Sequence, residues 1–453
     1  MNRIFTRLSK LFSKFDPLFL IIAIIIYLAS RYAYLGEICY YMDMDELRSA
    51  FDSVCIANGS EGLLQHPSLF VMAASLMLRL KGGLFSLKLF RLISVMGGLF
   101  GLIFSYLVVL EMTGQRKYAF LEAMLVATLP VFFISSRTGV PAYVSLWLVP
   151  AAFYFLIKAI RSKNRILYAV SALFWLAIIF TMFGEGREIN LNSIPSNIIN
   201  IKALLWDDSH PFNISSYFGT IYFFSVPVLF IGMIITIKDA VSSVKNRRPD
   251  TSVILLVYTI FILLSGIITT DADTRSVCGL FFSASLFICK GLIWLCENIK
   301  GVIIIEIAVY LICLKIFSNY YFENFNSEVN NSPDHEAGIV VDRSIGEAVK
   351  AAKNLFANRQ ISVIADNFEG RNLMIALFGN ASYEDYRQFD NLNSFSFASD
   401  TSIIHVNASE QPLMDENTVY IINQAEHPDI IDNLTANGWG NLYLKEYTVC
   451  YAQ

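Results

Sequence analysis

Three carboxylates fall within four positions, at Asp43, Asp45 and Glu46, with Arg48 close behind and Asp52 beyond it. Like charges this close raise the cost of ionising one another, so such a patch suits a general base or a cation site. It follows directly on an apolar run, Pro17–Leu35. A series of cations trails it: His66-Pro67, then Arg79, Lys81, Lys88 and Arg91, then Arg137. Glu185, Arg187 and Glu188, and later Asp271, Asp273 and Arg275, complete the set. A carboxylate can take a proton from a hydroxyl, while Arg, Lys or His can hold a phosphate. The combination suits transfer of a group from a phosphate-linked donor, provided the intervening elements bring these residues to one face.

Those elements are hydrophobic. Of the 453 residues 55% are hydrophobic and 16% charged, against roughly a quarter charged in an average soluble chain. The first two thirds hold repeated apolar runs near the roughly 20 residues that span a bilayer. The net charge of -4 speaks against a nucleic-acid partner. Seven cysteines occur with no C-x-x-C pair, so no zinc or redox motif is supported. Cys39 and Cys55 flank the acidic patch and could pair in an oxidising compartment; two unpaired thiols is the reading adopted. The basic segment Met1–Lys14 leads into an apolar run without a small-residue cleavage site, so an uncleaved first span is expected.

Nine spans are expected: Pro17–Leu35, Arg91–Glu111, Tyr118–Ser135, Pro141–Ile160, Ile166–Phe183, Tyr217–Ile237, Ser252–Thr270, Val277–Leu295 and Val302–Phe317. Each should be helical, because amides in hydrocarbon must be satisfied within the segment. Basic clusters at Arg3–Lys14, Arg116-Lys117, Lys158–Arg165 and Lys238–Arg248 fall in every second connection, which places those connections and the N-terminus in the cytoplasm. Pro67–Leu80 is too short to cross and would invert every later loop, so Leu64–Lys88 is expected to lie along the outer interface. Glu306, inside an apolar run near its cytoplasmic end, is read as a packing or snorkelling residue. All the chemistry-bearing residues above then share the outer side.

Beyond the last span the character changes. Asn319–Glu336 reads as a polar linker. Ser344–Ala357, Glu369–Phe378 and His427–Asn437 have helical patterns. Ile361–Ala365, Ser402–Val406, Val419–Ile422 and an alternating Leu442–Tyr451 read as strands. The expected architecture is a polytopic α-helical membrane domain, residues 1–318, carrying the first external loop 36–89. A small extracytoplasmic α/β domain, 319–453, follows it.

Asp45-Glu46-Leu47-Arg48, His66-Pro67-Ser68-Leu69, Phe90-Arg91-Leu92-Ile93-Ser94 and Ser135-Ser136-Arg137-Thr138 together resemble the start of polyprenyl-phosphate-sugar glycosyltransferases of the GT-C architecture. The resemblance is to the protein mannosyltransferase and aminoarabinose transferase group. It covers about Met1–Ile160 by motif and the remainder by topology. It implies inverting transfer of a sugar from a polyprenyl-phosphate donor to an external glycan, lipid or protein acceptor. It also implies Asp45 as catalytic base or acceptor-orienting group, supported by Glu46. His66 would sit near the lipid phosphate, with Arg91 and Arg137 as structural or phosphate-side groups. Asp43, Arg48 and Arg275 join the substrate-binding set through their shared sidedness. Here His66 is followed by Pro67-Ser68 rather than two prolines, and Thr138–Pro141 supplies no acidic residue. No cofactor is required by these residues; a divalent cation is an option through Asp43 and Asp45. The competing readings are a polytopic polysaccharide polymerase and a non-enzymatic transporter. The latter calls for broken helices, internal repeats or midplane charges.

Overall fold

The computed structural model describes residues 18–38, 40–63, 68–183, 191–200, 218–246, 250–268, 275, 277–299, 301–331, 340–356, 359–364, 369–381, 386, 394–396, 402–406 and 415–452. His66, Cys39, Glu185, Arg187, Glu188, Asp271 and Asp273 lie outside them.

In chain order the helices are α1 (Phe19–Tyr32), α2 (Met44–Ala57), α3 (Leu69–Leu80), α4 (Leu87–Thr113), α5 (Arg116–Thr128), α6 (Pro130–Ser135), α7 (Val144–Ser162) and α8 (Arg165–Phe183). They continue with α9 (Ile194–Asn200), α10 (Ser225–Lys245), α11 (Thr251–Ile268), α12 (Leu280–Asn298), α13 (Val302–Asn330), α14 (Ser344–Leu355), α15 (Glu369–Gly379) and α16 (Pro428–Ala436). The strands are β1 (Tyr41–Asp43), β2 (Val340–Asp342), β3 (Gln360–Ile364), β4 (Ser394–Ser396), β5 (Ser402–Val406), β6 (Thr418–Asn423), β7 (Gly440–Leu444) and β8 (Tyr447–Tyr451).

Among the described residues six helices are long and apolar enough to cross a membrane, α4, α7 with its preceding turn, and α10 to α13. The protein is a multi-pass membrane protein. The chain divides into two compact units: residues 1–38 with 91–328, and residues 39–90 with 329–453. Residues 39–90, assigned from sequence to the membrane domain, thus group with the C-terminal residues 329–453.

The first unit is the helical bundle. α10 and α12 touch backbone to backbone: a Cβ built on Gly232 would lie 1.7 Å from the Phe287 carbonyl oxygen, and one on Gly291 would lie 2.2 Å from that of Val228. Small residues permit such contact where lipid supplies no hydrophobic drive between helices. The third expected span is not one helix. Pro130 has no N–H and disfavours helical geometry at the residue before it, so the chain turns extended at Leu129 (φ -66, ψ 138). The break exposes the last carbonyls of α5, and other elements satisfy them. Arg31, inside the apolar α1, donates to the carbonyls of Ala127 and Val126. The Tyr222 hydroxyl donates to that of Thr128 at 2.8 Å.

Arg137, just past α6, serves α1 in the same way. Its guanidinium donates to the carbonyls of Arg31 (2.5 Å), Ala33 (2.8 Å), Tyr34 (3.4 Å) and Ile38 (3.4 Å). Those of Arg31 and Ala33 lie at the helix C-terminus, the negative end of the helix dipole, while that of Tyr34 also accepts the Glu37 and Ile38 amides of the turn that follows. Both arginines are fully buried, and both lie over the Phe133 ring, at 4.7 and 5.6 Å. The sixth expected span starts later than anticipated, at Ser225.

In the second unit, β4-β5-β3-β6-β8-β7 form one mixed sheet. β3 pairs in parallel with β5 and β6, and the outer pairings are antiparallel. The expected final strand is instead a hairpin: Lys445, at φ 49, turns the chain between β7 and β8. The expected linker at Asn319–Glu336 is helical as far as Asn330. Phe317, Tyr321, Phe325 and Val329 recur every four residues and are all fully buried, so an apolar stripe carries α13 through its Asn-rich stretch.

The arginine cap carries a direct expectation. Arg137→Lys supplies a point-like ammonium where a planar fork reaches several carbonyls. It should cost on the order of 2 kcal/mol through unsatisfied buried acceptors, read as a lower melting temperature of the purified protein. An unchanged melting temperature would show that the cap is dispensable.

Candidate functional site

The acidic patch is the start of a helix. Asp43 closes β1, and its carboxylate accepts the Asp45 amide at 2.9 Å, making it the N-cap of α2. Asp45 and Glu46 occupy the first turn, where the dipole favours negative charge. The cap separates the three carboxyls: Asp43 and Glu46 are buried, whereas Asp45 is exposed. Asp45 therefore stands on a rigid element with its side chain open to solvent. Asp52, on the same helix, is buried and accepts the Leu63 amide at 2.5 Å.

This segment is strapped to the C-terminal domain by backbone and side chains. β1 pairs antiparallel with β2, Tyr41 against Asp342 and Asp43 against Val340. Arg343 donates to the Tyr40 carbonyl at 2.8 Å, and the Tyr40 hydroxyl to Glu347 at 2.9 Å. Lys445 lies 3.6 Å from the centre of the Tyr40 ring and 2.9 Å from Asp342. Arg48 forks onto Glu369, the first residue of α15, at 2.7 and 3.1 Å. Both side chains are about half exposed, so this pair orients α2 against α15 more than it stabilises. Burial, with Asp342 and Glu347 nearby, pushes the Tyr40 phenol well up, so it remains a hydrogen-bond donor.

The structure therefore brings Asp43, Asp45, Glu46 and Arg48 together in the second unit. Arg91, Arg137 and Arg275 belong to the first unit and are all buried. Arg137 serves the α1 carbonyls described above. Arg31 was not singled out from the sequence, although a cation inside an apolar run was the available signal. No three His, Cys, Asp or Glu side chains lie together as a metal-holding group among the described residues. Asp43 and Asp45 supply only two carboxylates, one of which is engaged as the cap.

The fold is of the GT-C type. The chain is similar to the crystal structure of ArnT from Cupriavidus metallidurans bound to undecaprenyl phosphate. The match covers 97% of this chain and 98% of that one, with a TM-score of 0.55 and 10% sequence identity. No family model and no curated protein matches the sequence.

Glu446, in the turn between β7 and β8, puts a titratable group beside Asp342 of β2. Burial first, then Asp342, pushes the Glu446 carboxyl up from 4.5 to about 7. A raised acid value means the fold favours the neutral form: no cost exists below the unfolded value, and the cost grows as pH rises from 4.5 through about 7. Hydrogen exchange at Tyr41–Asp43, corrected for intrinsic rate, should be slower at about pH 6 than at about pH 8. Glu446→Gln should remove the difference; a difference that survives it would assign the pH response to another group.

Proposed function

We propose that this protein is an integral membrane glycosyltransferase that moves a sugar from a polyprenyl-phosphate donor to an acceptor outside the cytoplasm. The observation that carries the reading is an end-to-end GT-C fold, shared with a protein bound to undecaprenyl phosphate, in which an exposed Asp45 begins a capped helix. Asp45 takes the proton of an acceptor hydroxyl, or orients it, as the hydroxyl oxygen attacks the anomeric carbon. The bond from that carbon to the phosphate oxygen breaks, with inversion, and the lipid phosphate leaves as an anion. His66, Arg91 and Arg275 are the cations assigned to that phosphate. Arg48 and Asp43 hold the first turn of α2. Charge complementarity to the leaving phosphate in a partly dry site is the largest catalytic contribution expected. The C-terminal α/β domain and residues 39–90 are placed on the extracytoplasmic side, with the N-terminus in the cytoplasm.

Purified protein in vesicles, given a panel of polyprenyl-phosphate sugars and envelope acceptors, should release the polyprenyl phosphate and label an acceptor. Asp45→Asn should lower turnover about 100-fold or more, the usual scale for loss of a general base, with donor binding unchanged. Turnover within twofold of the parent would remove Asp45 from the chemistry. For orientation, a cysteine at Lys350, an exposed position on α14, should react in intact cells with a membrane-impermeant maleimide. Labelling only after lysis would put the domain inside.

A further inference from the structure

The bundle holds a cavity of about 180 Å3, lined by both charged and apolar side chains, between the C-terminal end of α4, α10, the N-terminal end of α11, and α12. We infer that this cavity binds the phosphoethanolamine headgroup of a membrane phospholipid. The inference does not depend on the proposed transferase activity.

Its walls carry both charges in fixed places. Lys290 of α12 reaches Asp239 of α10 at 3.2 Å and the Ser252 hydroxyl of α11 at 2.8 Å. An ammonium has three donors, and the third has no partner among the described residues. The Lys290 side chain is 16% exposed, so its charge is mostly removed from water. Beside it begins α11, whose first amides have no acceptor within the helix. Thr251 and Ser252 place hydroxyls at that same end, with the Thr251 hydroxyl on Asp250 at 3.1 Å. Lys290, the Ser252 hydroxyl, whose proton is not used by Lys290, and a helix N-terminus form a phosphate seat. Asp239 and Asp250 line the same cavity and form an ammonium seat.

Charge decides the ligand class. A simple anion would face the two carboxylates, and a simple cation would face Lys290 and the α11 N-terminus. A zwitterion satisfies both. Position decides the source. α10 ends at Lys245 and α11 begins at Thr251, so this is where helices meet the headgroup layer; Asp239 lies about 9 Å inward at 1.5 Å per residue. Val109 and Ile293 add an apolar wall on which a lipid's glycerol and first methylenes can rest. The amine must keep its N–H donors to bond both carboxylates, so a trimethylated headgroup fits worse.

The test titrates delipidated full-length protein with phosphatidylethanolamine, phosphatidylcholine or phosphatidylglycerol of identical acyl chains, and with free O-phosphoethanolamine, reading melting temperature. Phosphatidylethanolamine should raise it and the other two lipids should not. Asp250→Asn and Lys290→Gln should each weaken the apparent affinity about tenfold, the scale of a lost hydrogen bond to a charged group. If Lys290→Gln does not fold, Asp250→Asn alone decides. Equal shifts with all three lipids, or an Asp250→Asn variant of parental affinity, would overturn the assignment. Protection by free O-phosphoethanolamine equal to that of the lipid would also overturn it, in favour of a soluble zwitterion.

Discussion

Two buried arginines satisfy backbone carbonyls where the helices of the bundle end or break. Pro130 ends α5 among buried side chains and leaves carbonyls there without intrahelical donors. α1 ends in a turn and leaves a second set. Each arginine satisfies carbonyls at the other segment's end: Arg31 those of α5, Arg137 those of α1. Both stack on Phe133, which gives each cation an aromatic face where water is excluded. An unpaired carbonyl costs far more in such a place than at a surface. The pair therefore makes a broken helix tolerable, and it fixes the turn from Tyr34 to Ile38 from which the chain enters the acidic segment.

Beyond that turn the chemistry passes to an element whose local structure is equally determined. An Asp cap followed by acidic residues is a stable way to begin a helix, and the same three residues are the candidate catalytic group. The two roles are compatible because the cap sorts them. Asp43 is consumed by the backbone, Glu46 is buried, and Asp45 alone is presented. Pairing of β1 with β2, and the Tyr40 contacts with Arg343, Glu347 and Lys445, give that presentation a rigid base. A catalytic carboxylate must be held to within a fraction of an ångström, and a capped helix strapped to a sheet does this better than a loop.

Much of this was legible in the sequence, for physical reasons. The helix Ser344–Leu355 lies where its pattern puts it, because burial of Ile345, Ala348, Val349 and Ala352 on one face writes a period into the residues. The GT-C fold was legible from ordered motifs and charge sidedness together. What was missed follows rules that are weak in composition. Asp43 looks like one charge in a loop, although Asp followed by acidic residues is also a helix-start signal. α13 was ended at its first asparagines, although Phe317, Tyr321, Phe325 and Val329 keep the helical spacing beyond them. The β7–β8 turn was missed because Lys445 adopts a left-handed conformation that favours Gly or Asn. The capping use of Arg31 and Arg137 could not be seen, because it depends on where backbone carbonyls end in space.

In the proposed reaction the acidic first turn of α2 and a lipid-phosphate seat serve one centre. The most direct measurement is a structure of the intact protein with a polyprenyl phosphate bound. The account predicts the phosphate among His66, Arg91 and Arg275, with the Asp45 carboxylate facing it across a gap that admits one sugar ring. A phosphate held elsewhere, with Asp45 turned to open solvent and no cavity between them, would contradict it.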